Sequence, residues 1–279
     1  MNMDKDTWSL HLAVSENDFL AVERLIKNGT INPIDPRDEA QQTPLHIAAS
    51  KGFEVLARVL LGYGANINSV NERGKTPLML AIENKQTQMA KMLIDRGGAD
   101  IPIVDRDIQK TSLFLAVETK QLSIVQMLVN RRAKAKTGNF ENNTPLHKAI
   151  LQYHLEMVKL LVNNGAKINV KGDSDASPLH LAVLDDSKFK IVKLLIEKCA
   201  DLEASDIFEK TPLCHAILNE CMKNIQILLE KGANVNTRDS VGATPLHYYF
   251  SKDYMRSQMI LLLLRHGASL DIQSKTWPF

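Results

Sequence analysis

Four histidines share one local setting: His46, His147, His180 and His247 each follow a Thr or Ser by three residues. Imidazole is the side chain best suited to proton transfer or metal ligation near neutral pH, so chemistry would be sought there first. A catalytic histidine works beside a nucleophile or an orienting carboxylate. These four instead occupy one position of a phrase that returns along the chain, and recurrence points to structure. Cys214-His215…Cys221 has the residue types of a zinc site. Structural zinc wants four ligands at spacings such as C-x₂₋₄-C; here three candidates share one short segment, and Cys214 stands where the phrase has histidine. Asp185-Asp186 could pair as an acid and a base, but they fall in an inserted turn and read as solvated. No G-x-x-x-x-G-K phosphate loop, no G-x-G-x-x-G after a strand and no H-E-x-x-H helix occurs. The residues therefore predict no catalytic group, no metal ligand and no cofactor site. Arg131-Arg132 with Lys134 and Lys136 is the strongest basic cluster; it could meet an acidic partner, a phosphate or an import receptor, and reads most simply as a solvated turn.

The bulk numbers narrow the partners. Hydrophobic residues make up 44% and charged residues 24% of the 279, the balance of a folded soluble chain. Aromatics are only 5%, so Leu, Ile, Val, Ala and Met must build the core. A net charge of +2 from 34 bases and 32 acids gives no electrostatic case for nucleic acid. Met1-Asn2-Met3-Asp4-Lys5-Asp6 is acidic with no apolar run behind it, unlike a secretory signal. The longest apolar run, Met259 to Leu264, is far below the roughly 20 residues of a spanning helix. Cys199, Cys214 and Cys221 cannot form a disulfide framework, which suits reduced thiols inside a cell. The expected location is intracellular, cytoplasmic or nuclear, with secretion as an effector lacking a classical signal as the other option.

The phrase sets the organisation. Thr43-Pro44-Leu45-His46 is followed by copies starting at Thr76, Thr111, Thr144, Ser177, Thr211 and Thr244, at intervals of 33, 35, 33, 33, 34 and 33 residues. A degenerate copy, Trp8-Ser9-Leu10-His11-Leu12-Ala13, lies 35 residues before the first. Each copy also carries an apolar doublet and a Gly-Ala-like turn, as in Leu60-Leu61…Gly64-Ala65-Asn66 and Leu228-Leu229…Gly232-Ala233-Asn234. Thr or Ser is a favoured helix N-cap, and Pro suits the first helical position, where its missing N–H costs nothing. A short first helix follows, then a second helix ending at Gly, which accepts the left-handed C-terminal conformation. The polar linking segment, such as Asn66-Ile67-Asn68…Gly74, reads as a protruding hairpin finger. No copy can bury its apolar side alone, so neighbours must stack.

A period near 33 residues with T-P-L-H-x-A is the ankyrin signature. From Trp8 to Ile272 the chain resembles ankyrin-repeat proteins, and seven close copies make that resemblance specific. It implies an all-α repeat solenoid of paired antiparallel helices with β-hairpin or loop fingers, forming one curved elongated array over 1–279. Eight repeats start near 8, 43, 76, 111, 144, 177, 211 and 244, with a partial ninth from about 276. The resemblance also implies that the helix-start histidines hydrogen-bond between neighbouring repeats.

Departures from the family pattern carry expectations of their own. Gly usually stands two residues before the Thr; Gly74 and Gly242 obey, but Gln41, Gln109, Asn142, Asp175 and Glu209 do not. Distorted or mobile fingers are expected there, above all in the longer finger Asp100–Asp107. The fourth repeat lacks the Gly-Ala turn, reading Arg131-Arg132-Ala133. The sixth inserts a residue near Asp185–Lys188 and the eighth inserts two near Lys252–Arg256. The outward position of the second helix is polar at Glu23, Arg58, Lys91, Gln126, Lys159, Lys193 and Gln226, but is Leu261 in the eighth repeat. A continuing repeat, a fold-back of Thr276-Trp277-Pro278-Phe279 or a partner would cover such a face.

Partner contacts in ankyrin arrays come from finger tips and from the exposed end of the first helix. Carried over, the helix positions are Ser50-Lys51, Glu83-Asn84 and Glu118-Thr119, then Leu151-Gln152, Leu184-Asp185 and Leu218-Asn219, and finally Ser251-Lys252. Finger tips change likewise, from Glu72-Arg73 to Phe140, Ile207-Phe208 and Val241. A row of exposed apolar groups suggests an interface. The sequence thus predicts a scaffold, adaptor or inhibitor that holds a protein or peptide on its concave face. The other option is the targeting or regulatory arm of a larger protein, such as a ubiquitin-ligase receptor, toxin, channel or pathogen effector.

Overall fold

A computed structural model describes residues 5–27, 34–96, 103–107, 109–133, 138–251 and 257–274. Lys134, Lys136, the inserted Lys252–Arg256, part of the Asp100–Asp107 finger and Thr276–Phe279 lie outside the described residues. The chain divides into two compact parts, 1–140 and 141–279, each taken by itself below.

The amino-terminal part holds α1 (Lys5–Ser15), α2 (Phe19–Lys27), α3 (Pro44–Lys51), α4 (Glu54–Gly62), α5 (Pro77–Glu83), α6 (Thr87–Asp95), α7 (Ser112–Glu118) and α8 (Leu122–Asn130). The carboxyl-terminal part holds α9 (Pro145–Leu151), α10 (Leu155–Asn163), α11 (Pro178–Val183), α12 (Phe189–Glu197), α13 (Pro212–Leu218), α14 (Met222–Glu230), α15 (Pro245–Phe250) and α16 (Ser257–Arg265). Odd helices are the inner ones, short and opening on the Thr-Pro phrase or its Thr-Ser and Ser-Pro variants from α3 onward, with α1 longer; even helices are outer. Inner helices pack in order, α1 on α3 on α5 on α7 in one part and α9 on α11 on α13 on α15 in the other. Outer helices do the same from α2 to α8 and from α10 to α14.

Local chemistry explains each helix. Thr76 and Thr111 accept the N–H of Met79 and Phe114 at 3.3 and 3.2 Å, supplying a partner for one orphan donor of the first turn. Leu45, Ala48 and Ala49 of α3, and the matching Leu78, Ala81 and Ile82 of α5, are fully buried between neighbours. Each leucine so buried contributes roughly 2 kcal/mol. Outer helices end in a left-handed residue followed by Ala, whose N–H reaches back to the helix, as in Ala65 to Leu60 O at 3.0 Å. The same closure forms without glycine: Arg132 takes φ 61° and Cys199 takes φ 63°, with Ala133 and Ala200 bonding to Leu128 O and Leu195 O. Loss of the Gly-Ala pair thus leaves the fourth repeat's turn intact.

The fingers also hold their geometry, against expectation. Gln41, Gln109, Asn142, Asp175 and Glu209 take φ between 55° and 60°, alongside 72° at Gly74 and 79° at Gly242. At Gln41, Gln109 and Glu209 a carboxylate three or four residues earlier compensates. Asp38, Asn71, Asp206 and Asp239 accept the N–H four residues on at 2.7–2.9 Å, closing the turn from within. Fingers then bond to one another: Arg106 N–H to Arg73 O at 2.8 Å, Ile207 N–H to Ser174 O at 3.0 Å, and Ser240 N–H to Phe208 O at 3.1 Å. The expected β-hairpins are not strand pairs. The described residues hold one isolated bridge, Val104 to Thr111, because each finger is little more than a turn.

Candidate protein-binding face

Three of the helix-start histidines, His46, His147 and His180, bind one repeat to the next, while His247 accepts the N–H of its own cap Thr244 at 3.1 Å. Thr43 N–H donates to His46 Nδ1 at 3.1 Å, so the neutral ring carries its proton on Nε2, which donates to Lys75 O of the next repeat at 3.0 Å. His147 reaches Ala176 O and His180 reaches Lys210 O in the same way, at 3.2 and 3.0 Å. His11 joins them, 3.0 Å from Gln42 O. Burial removes hydration from the charged form, and its pull outweighs the backbone bonds. The pKa falls to about 4 at His46 and His147, and is lowered at His180. Rings held neutral with both nitrogens engaged by backbone or cap are structural ties.

The face formed by inner-helix ends and fingers differs between the parts. In the amino-terminal part Lys75 bonds Glu83 at 2.7 Å and Lys110 bonds Glu118 at 2.6 Å. The Lys75–Glu83 pair lines a cleft together with Gln42, Glu72 and Leu80, and the tips Arg73 and Asp107 face each other at 3.9 Å. In the carboxyl-terminal part the glutamate position is Leu151, Leu184 and Leu218 in α9, α11 and α13, and Ser251 after α15. Lys210 keeps the lysine position without the acid and lies over the rings of Phe208 (5.4 Å) and Tyr248 (5.1 Å). Asp206, half of the finger turn, also accepts from His215 Nε2 at 2.8 Å, and Asp239 accepts from the Tyr248 hydroxyl.

The expected contact residues fall as follows. Ile207 and Phe208 are 63% and 58% exposed at a finger tip, and Leu151 is 45% exposed at the end of α9. Leu184, Leu218 and Val241 are half-buried, showing an edge each rather than a whole side chain. Serial packing of α9, α11 and α13 sets Leu151, Leu184 and Leu218 at equivalent ends of adjacent helices. Phe140 is 75% exposed and is the last residue of the amino-terminal part. Tyr153 was missed by the sequence: it is 51% exposed, in a left-handed conformation at the turn after α9. Tyr248 and Lys210 were missed as well, and His215 was weighed only as a zinc candidate.

Asp185 and Asp186 are structural rather than merely solvated. Asp186 accepts the N–H of Asn224 and Lys223 at 3.0 and 3.2 Å, capping α14 of the next repeat. Asp185 accepts Ser187 N–H at 2.7 Å and the Tyr153 hydroxyl at 2.9 Å. Lys188, buried beside them, donates to Leu181 O at 2.9 Å and lies 4.4 Å from the Tyr153 ring. The one-residue insertion thus joins three repeats and backs Leu184 with a fixed frame. Cys214 replaces the repeat's histidine and receives only a weak bond from Thr211 at 3.6 Å. Among the described residues no cluster of three or more His, Cys, Asp and Glu is arranged to hold a metal. No described helix is long and apolar enough to cross a membrane.

A family model for ankyrin repeats matches residues 10–105, 103–172 and 179–275, nearly the whole length. The chain belongs to the ankyrin-repeat family. The solved ankyrin repeat domain of Bcl-3, described as a unique member of the IkappaB protein family, superposes with a TM-score of 0.71 at 29% identity, covering 82% of this chain and 99% of that one. Rabankyrin-5 of Mus musculus is 36% identical over 107 residues, 35% of this chain and 9% of its own length. The probable 26S proteasome regulatory subunit p28 of Saccharomyces cerevisiae is 37% identical over 97 residues, 34% of this chain and 42% of its own length. The chain therefore spans less than half the length of Rabankyrin-5 and of p28. The architecture is that of an all-α ankyrin solenoid, the class of module that mediates protein–protein contact.

Proposed function

We propose that this chain is a non-catalytic scaffold, adaptor or inhibitor of eight ankyrin repeats, and that it holds a protein or peptide on the inner face of its carboxyl-terminal part. One observation carries the reading. At three successive inner-helix ends a leucine stands at the position where Glu83 and Glu118 form internal ion pairs, and Ile207 and Phe208 are exposed at a finger tip of the same part. An apolar side chain exposed or half-exposed at each of three equivalent positions marks an aligned patch of the kind that partners cover. Site, not fold, is the basis of the proposal. The Phe208→Ser/Leu184→Ser double variant should lose partner capture by at least about tenfold, with little change in thermal midpoint. Capture undiminished, or a collapse of the thermal midpoint, would count against this face.

The second reading, an ankyrin arm of a larger protein, rests on Leu261. It is 52% exposed on α16, where the equivalent residues of the other outer helices are polar. A terminal repeat ordinarily presents a polar outer side. A transcript extending the reading frame would support this reading. The inner-face proposal is the same in either case, and an intracellular location suits both.

A further inference from the structure

Charge on the inner face selects among partners, and this step rests on the reading that this face binds protein. We infer that the face of α9, α11 and α13 receives an amphipathic helix with apolar anchors and Lys or Arg beside them. The cations of this face are already engaged. Lys171 lies 3.3 Å from Asp175, Lys188 is turned inward to Leu181 O, Lys210 lies over Phe208 and Tyr248, and Lys148 on α9 is half-buried and partnered. The acids are less so: Glu141, Asp173 and Glu209 are exposed along the finger tips, and neither Asp173 nor Glu209 has an ion-pair partner among the described residues. In the amino-terminal part, by contrast, tip charges of both signs meet, as Arg73 and Asp107 do. A row of carboxylates bordering a row of leucines attracts a segment that is basic along one edge and apolar along the next, and repels nucleic acid and anionic lipid.

Spacing adds a register. Packed helix axes lie roughly 8–10 Å apart, so Leu151, Leu184 and Leu218 recur at about that interval. Two turns of a helix advance about 11 Å, so a helix laid across α9, α11 and α13 meets them with residues at i, i+7 and i+14. Basic residues next to those anchors reach the Asp173 and Glu209 tips.

The test uses the full chain and three synthetic helical peptides of about 18 residues, long enough to cross three helices. One carries Leu at i, i+7 and i+14 flanked by Arg, one the same Leu flanked by Glu, and one Ser in place of Leu with the Arg kept. The Leu/Arg peptide should bind at least about tenfold tighter than either control and weaken with salt. The Asp173→Lys/Glu209→Lys variant should lose most of that preference, or reverse it, with its thermal midpoint unchanged. Equal or tighter binding of the Leu/Glu peptide would mean that Lys210 takes a partner carboxylate, and would overturn the charge assignment while leaving the apolar face standing. No measurable binding by any peptide would overturn it too. Binding of the Leu/Arg peptide that is indifferent to Phe208→Ser and Leu184→Ser would instead sink the inner-face reading itself.

Discussion

Acidification should loosen the stack through its buried histidines, and the size of the effect follows from their setting. His46 and His147 are fully buried, each with Nε2 bonded across to the next repeat and a pKa pulled from 6.5 to about 4 by desolvation. The folded state binds these protons less readily than the unfolded chain. Their stabilisation is therefore complete above about pH 6.5 and is lost as pH falls toward 4. At about 1.36 kcal/mol per pK unit the limit is roughly 3 kcal/mol per histidine, of which about 2 is lost by pH 5. The two sit in different compact parts, so each part should weaken separately. Urea unfolding between pH 7.5 and 5 measures this, above the range where most carboxylates titrate. His46→Gln and His147→Gln should each cost about 1–2 kcal/mol at pH 7.5 and flatten the pH slope. A wild-type loss below about 1 kcal/mol over that range, or an unchanged slope in both variants, would refute the reasoning.

Other positions give sharper local outcomes. Glu209→Gly should stabilise by about 0.5–1 kcal/mol in urea unfolding, since φ 60° strains a side chain by more than the glycine costs in entropy. Asp186→Ala should destabilise by about 1–2 kcal/mol through loss of the α14 cap, with Asn in its place costing less. Gly74→Ala should cost clearly more than Gly64→Ala. Both have positive φ, but a Cβ at Gly74 would lie 2.9 Å from the Arg106 backbone nitrogen, which bonds Arg73 O across the fingers, whereas nothing lies within 4 Å at Gly64.

The repeat and its helices were legible because their causes are local and periodic. Thr caps, Pro opens, Leu and Ala face inward, and a left-handed residue closes, all within one stretch of chain. The finger turns were misread because the residue at the left-handed position was weighed alone. Asp38, Asp206 and Asp239, whose carboxylates close the turn around Gln41, Glu209 and Gly242, sit three residues earlier and compensate. The inserted Asp185-Asp186 pair was misjudged because its partners, Tyr153 and Asn224, are one repeat away on either side. The apolar row at Leu151, Leu184 and Leu218 was visible as a change of residue type. How much of each leucine stays exposed, and that Lys210 rests on Phe208 and Tyr248, depends on neighbouring repeats and had no sequence signal.

Hydrogen–deuterium exchange of the full chain, with and without the captured partner or the Leu/Arg peptide, tests the central claim most directly. Binding on the inner face predicts new protection in the segments around Leu151–Tyr153, Leu184–Ser187, Ile207–Glu209 and Leu218–Glu220, with the outer helices α10, α12 and α14 unchanged. Protection confined to the outer helices, or to residues before Phe140, would contradict it.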